Sequence, residues 1–179
     1  MCPRGGKASL AVRPPPSPAL TGPRTGDVMT DILSSASVLL RLAASSKKQV
    51  LQEMSRSAGR VLRMPERRVF DVILERERLG STALGRGVAI PHAKLAELDR
   101  VVGVFATLAR PVSFDAVDDL PVDLVFMLLA PEQAGAEHLR ALARVSRLFR
   151  DPDMCEKLRG CTSDDAVLAL FGETAARAA

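Results

Sequence analysis

Two stretches, residues 101–108 and 122–130, are nearly continuous in apolar residues, and Pro111, Pro121 and Pro131 punctuate them. Runs of this length are too short to span a bilayer and lack the polar stripe of a surface helix, so they read as strands covered on both faces. A sheet buried on both faces needs helices on both. The chain is therefore expected to form an α/β domain in layers, a central mixed sheet flanked by helices.

The flanking segments supply those helices. Ser45-Ser46 offers an N-cap for a helix over 47–62, with Val50, Leu51, Met54, Ala58 and Val61 on one face. Pro65 opens a second helix, with Val69, Phe70, Ile73 and Leu74 inward, which ends at Leu79-Gly80-Ser81. Residues 134–150 set Leu139, Leu142, Val145, Leu148 and Phe149 against arginines at 140, 144, 147 and 150, the pattern of an amphipathic helix. Shorter helices are expected over 152–158 and 164–171. The expected order is α, α, β, β, β, α, α, α.

Residues 1–28 differ in kind, being rich in Pro and Gly, with Pro14-Pro15-Pro16-Ser17-Pro18 at their centre. Such a segment cannot bury enough apolar surface to offset its chain entropy and is expected to be a disordered leader. Met29 is a plausible alternative start, in which case the leader is not translated. The domain is then 29–179.

Of 25 basic residues, Arg4, Lys7, Arg13 and Arg24 stand in the first 26 positions without an acid, and the rest of the chain balances its 21 acids. A formally neutral domain with no Trp, no Tyr and six Phe offers little to nucleic acid. No segment suits membrane insertion or secretion, so a cytoplasmic protein is expected. Cys2, Cys155 and Cys161 have neither disulfide nor zinc spacing, and no metal or other cofactor is expected.

The candidate chemistry lies in Gly85-Arg86-Gly87-Val88-Ala89-Ile90-Pro91-His92. Val88 to Ile90 read as a short buried strand, Pro91 cannot donate to a ladder and ends it, and His92 is expected at the strand's exit. A lone histidine is more often structural than chemical. Here the two glycines would let backbone amides approach an anion, and the proline fixes where the imidazole emerges. The acids Asp115, Asp118, Asp119 and Asp123 suit a turn between strands better than a metal cluster.

Taken together, Glu75-Arg76-Glu77-Arg78-Leu79-Gly80-Ser81-Thr82 with Gly87–His92, then 114–126, Leu128-Leu129-Ala130-Pro131 and His138-Leu139, resemble the enzyme IIA domains of the fructose/mannitol type in the bacterial phosphotransferase system. The resemblance runs over 29–175 and is closest to the nitrogen-regulatory branch. It implies that His92 accepts a phosphoryl group, as a tele-phosphohistidine, from an HPr-like phosphocarrier. It also implies that Arg76, His138 and Thr82 bind that group, and that regulatory target proteins in nitrogen metabolism and potassium transport respond to the phosphorylation state. Two alternatives stand beside this: a sugar-uptake component that hands the group to a separate IIB protein, and a binding module never phosphorylated. Ala83, Arg86 and Ala93 depart from the family's usual residues, and Arg86 is expected to bring a cation close to His92.

Overall fold

The computed structural model describes residues 32–176. The leader expected over 1–28 lies outside them. A 3-10 turn at Ser35–Ser37 leads into β1 (Val38–Leu42), followed by α1 (Lys47–Leu62), α2 (Glu66–Arg78), β2 (Ala83–Gly85), β3 (Val88–Ala89), β4 (His92–Leu95), β5 (Val102–Val112) and β6 (Val122–Pro131). Three helices close the described chain: α3 (Gly135–Leu148), α4 (Pro152–Gly160) and α5 (Asp164–Ala176). The helices start where local chemistry places them. Ser46 accepts a hydrogen bond from the Gln49 amide at the head of α1, Pro65 precedes α2, and Asp151 caps α4.

The two apolar runs form β5 and β6, an antiparallel pair in the middle of a six-stranded mixed sheet. The path is β1-β5-β6-β3-β2, with β4 also on β6. Alternation explains why the runs are apolar throughout. Leu124, Phe126 and Leu128 of β6 and Phe105 of β5 enter a core layer shared with Val145, Leu148, Leu158 and Phe171 of α3, α4 and α5. Val125, Met127 and Leu129, with Val104 and Ala106, enter a second layer against Leu51 and Met54 of α1 and Ile73 of α2. Phe105, Phe126, Phe149 and Phe171 pack ring to ring in the first layer, centroids as close as 5.4 Å. Gly103 makes room for them: a Cβ there would lie 2.7 Å from Phe126 Cζ.

The layered α/β architecture is as expected, and three strands are additional. β1 lies parallel to β5 at the sheet's edge, and its ladder is broken at Arg41, which sits at φ 54. That break masks the strand's periodicity in the sequence. β2 is only a three-residue hairpin arm. The third is β4, whose existence changes the placing of His92. Val88 pairs with Leu124 and Ala89 with Val125; after Pro91, His92 pairs with Leu128 and Leu95 with Pro131. The offset along β6 is unchanged across the gap, so β3 and β4 are one line interrupted at Ile90-Pro91. His92 is therefore not at a strand exit; it opens the resumed strand. Proline removes one donor but not its carbonyl, and Pro91 O accepts from the Leu128 amide at 2.9 Å. Pro111 likewise lies inside β5, beside an irregular stretch of the ladder between Thr107 and Val112.

Candidate functional site

Strand alternation aims His92. Ala93 and Leu95 belong to the core layer under α1 and α2, so His92 and Lys94 project to the opposite side, where α3 begins. His138 stands in the first turns of that helix, its amide bonded to Ala134 O at 2.8 Å, and its ring is buried. The two imidazoles lie 5.8 Å apart between centroids, tilted by 46°.

The His92 ring is half-buried, and its Nδ1 lies 2.9 Å from Ile90 O. A carbonyl only accepts, so Nδ1 carries the proton and Nε2 keeps the lone pair of the neutral ring. Burial holds the His92 pKa below its ordinary 6.5; the Ile90 carbonyl opposes that, Arg76 adds to it, and Glu77 acts with the carbonyl. His138 is also lowered, by burial first and then by the charges of His92 and Lys94. Near neutral pH both rings are therefore uncharged. His138 Nδ1 is buried and has no protein hydrogen-bond partner among the described residues, a costly arrangement unless a ligand supplies one.

Arg76 lies in the last turn of α2, which packs against β4, and its charge is felt at His92. Its Nη1 donates to Gly80 O at 3.2 Å, and no carboxylate pairs with it among the described residues. Thr82 is buried and its hydroxyl donates to Glu77, so its proton is committed to that carboxylate. Of the four residues singled out in the sequence, His92 and His138 thus face each other, Arg76 acts on His92 through its charge, and Thr82 is tied to Glu77.

The glycine turn does something else. Gly85, Arg86 and Gly87 all have positive φ, and the Arg86 amide donates to Asp118 Oδ2 at 2.7 Å. The anion that this turn holds is the protein's own carboxylate. Four residues separate Gly87 from His92, five steps of extended chain or roughly 16 Å at strand rise. Arg86 reaches the Arg150 carbonyl beyond the end of α3, whereas His138 is near that helix's start. The expectation that Arg86 brings a cation to His92 is thus corrected: strand direction carries the two apart. Asp123 pairs with Arg159 through two contacts, at 2.8 and 2.9 Å.

Two residues of the neighbourhood escaped the sequence reading. Glu77 stands in a run of charges in the sequence, yet it lies four residues beyond Ile73 and eight beyond Val69, on the buried face of α2. An acid at a core position was the available signal. Its partner Lys47, at the head of α1, gave none.

Comparison with known proteins adds to this geometry. Residues 31–173 match the family described as "Phosphoenolpyruvate-dependent sugar phosphotransferase system, EIIA 2". The chain is 49% identical over 151 residues to the nitrogen regulatory protein of Bradyrhizobium diazoefficiens, covering 84% of this chain and 99% of that one. It is 40% identical over 147 residues to the nitrogen regulatory protein of Escherichia coli, covering 82% and 90%. Its fold superposes on the crystal structure of nitrogen regulatory protein IIA-Ntr from Neisseria meningitidis with a TM-score of 0.78 at 36% identity, over 81% of this chain and 99% of that chain.

Proposed function

The chain belongs to the EIIA type 2 family of the phosphoenolpyruvate-dependent sugar phosphotransferase system, and from that premise we propose that His92 is its phosphoryl acceptor. The donor is an HPr-like phosphocarrier carrying the group on nitrogen. His92 Nε2 gives its lone pair to phosphorus as the donor's N–P bond breaks, and the departing nitrogen takes back that bonding pair. The product is the tele-phosphohistidine. Charge that develops on the ring is shared through Nδ1–H with the Ile90 carbonyl.

The observation that carries this reading is the hydrogen bond from Nδ1 to Ile90 O, because it leaves the tele nitrogen as the nucleophile. Arg76 supplies cationic support to the phosphoryl oxygens. His138, buried near a helix N-terminus with an unpartnered nitrogen, supplies a second contact if that nitrogen carries its proton. Thr82 acts indirectly, through Glu77. The names of the relatives point to a regulatory output in nitrogen metabolism; control of potassium transport rests on the family resemblance alone. Target proteins would distinguish the phosphorylated from the free form.

The test is incubation of the chain with phosphoenolpyruvate, enzyme I and the carrier, followed by intact-mass measurement. An acid-labile gain of one phosphoryl group that disappears in His92→Ala supports the proposal. No gain in the wild type, or an undiminished gain in His92→Ala, overturns it.

A further inference from the structure

At the end of α2, which packs against β4, lies a buried ionic cluster that the phosphoryl-transfer chemistry does not itself require. Glu77 is 6% exposed. It accepts the Thr82 amide at 3.1 Å and the Thr82 hydroxyl, and Lys47 Nζ lies 2.7 Å from its Oε1. Lys47 also reaches Asp115 Oδ2 at 3.1 Å, on the loop before β6. Four segments that are distant in the chain meet on these atoms: the head of α1, the end of α2, the approach to β2 and the 113–120 loop. A carboxylate so placed is costly to bury and is retained only where several donors satisfy it.

Its position relative to the site is specific. Glu77 directly follows Arg76 in the last turn of α2, so whatever fixes Glu77 fixes the backbone from which Arg76 extends. The side chains diverge: Glu77 goes into the interior with Val69 and Ile73, and Arg76 is half-buried, its charge acting on His92 of the strand that α2 packs against. The charged or titratable groups acting on His92 are Arg76 and Glu77 from α2, and those acting on His138 are His92 and Lys94 from β4. Glu77 is the one anion among them.

We propose that Glu77, locked by Lys47 and Thr82, is a positioning residue for phosphoryl transfer at His92. It holds the end of α2 so that Arg76 stays beside the ring, and it supplies the buried negative charge that favours an imidazole becoming positive as Nε2 bonds to phosphorus. Lys47 acts through Glu77 by keeping it paired. This inference rests on His92 being the acceptor.

The experiment uses the full chain with Glu77→Gln, Lys47→Met and the double variant. Thermal unfolding, NMR titration of the His92 imidazole and the rate of phosphorylation by the phosphorylated carrier are measured for each. Glu77→Gln is expected to stay folded, to move the His92 midpoint further down, and to lower the saturated transfer rate about tenfold with the carrier's KM unchanged. Adding Lys47→Met to it is expected to cost less than that change costs alone, since both act on one group. A folded Glu77→Gln with an unmoved midpoint and a rate within twofold of wild type overturns the proposal; so do losses that multiply in the double variant. Should Glu77→Gln fail to fold, Lys47→Met decides alone: a displaced His92 midpoint with a slowed rate supports the assignment, and no change in either overturns it. If wild type takes up no phosphoryl group, the acceptor reading fails and this one with it, whereas an unmoved midpoint in a chain that is phosphorylated normally removes only Glu77.

Discussion

At the start of the β3–β4 line, Arg86, Arg159, Asp118 and Asp123 surround a glycine turn; midway along it, where the strand resumes, His92 faces His138 and feels the charge of Arg76. The first group is closed upon itself. Arg159 grips Asp123, the Arg86 amide holds Asp118, and the Arg86 guanidinium meets a backbone carbonyl. In the second group, among the described residues, the arginine has no carboxylate partner and a buried ring nitrogen lacks a protein partner, and both imidazoles are kept neutral by burial. Charge that the fold has already neutralised stabilises the fold, and charge left open is available to a ligand. Adjacency in sequence did not separate these roles.

The sharpest test of the contrast is a pair of arginine substitutions. Arg76→Ala is expected to slow phosphorylation of His92 by about a hundredfold or more, the usual cost of one donor to a developing anion, with little effect on stability. Arg159→Ala is expected to do the reverse. It should leave the transfer rate within a few-fold and lower the unfolding free energy by about 1–3 kcal/mol, because Asp123 and the Arg86 carbonyl lose a charged donor. Equal effects of both on the rate would erase the distinction between the two groups.

A smaller effect is expected at the turn itself. Gly87 sits at φ 80, and a Cβ there would lie 2.8 Å from Arg159 Nη2 and 2.9 Å from Asp123 Oδ1. Gly87→Ala should therefore cost about 1–2 kcal/mol in chemical denaturation while sparing phosphorylation. A phosphorylation defect without loss of stability would place the turn in the site after all.

The gentlest effect is on pH dependence. His92 and His138 both bind a proton less readily in the fold than at the ordinary 6.5. As pH falls below about 6.5 the unfolded chain takes up protons that the folded chain refuses, so their contribution to stability is present above that pH and lost below it. Urea unfolding between pH 7.5 and about 5 should show stability falling with pH, with a shallower slope in a His92→Gln, His138→Gln double variant. An unchanged slope would mean that neither ring is burdened by burial.

Much of the fold was legible because its signals are local or periodic. The boundaries of α1 and α2, the two central strands and the cap of α4 follow from proline, serine and aspartate placement and from apolar spacing. The missed strands share a different character. β1 owes its place to pairing with β5, and β4 is extended because β6 lies beside it; neither pairing leaves a mark within so few residues. At the site, His92, Arg76 and His138 stood out through the motif, and the structure brought them together from β4, α2 and α3. The buried direction of Glu77 was written in the period of α2, but its lysine lies thirty residues upstream in another helix.

Residue order thus determined on its own the layered α/β class, the helix starts and the identity of the histidine presented after Pro91, since these depend on hydrophobic period and on the backbone chemistry of proline, glycine and cap residues. Only the tertiary structure decided which arginine accompanies that histidine, where the second imidazole meets it, and which carboxylate is buried on the neighbouring helix end. Those depend on strand register and on which helix ends meet, and register is set by pairing partners far away in the chain.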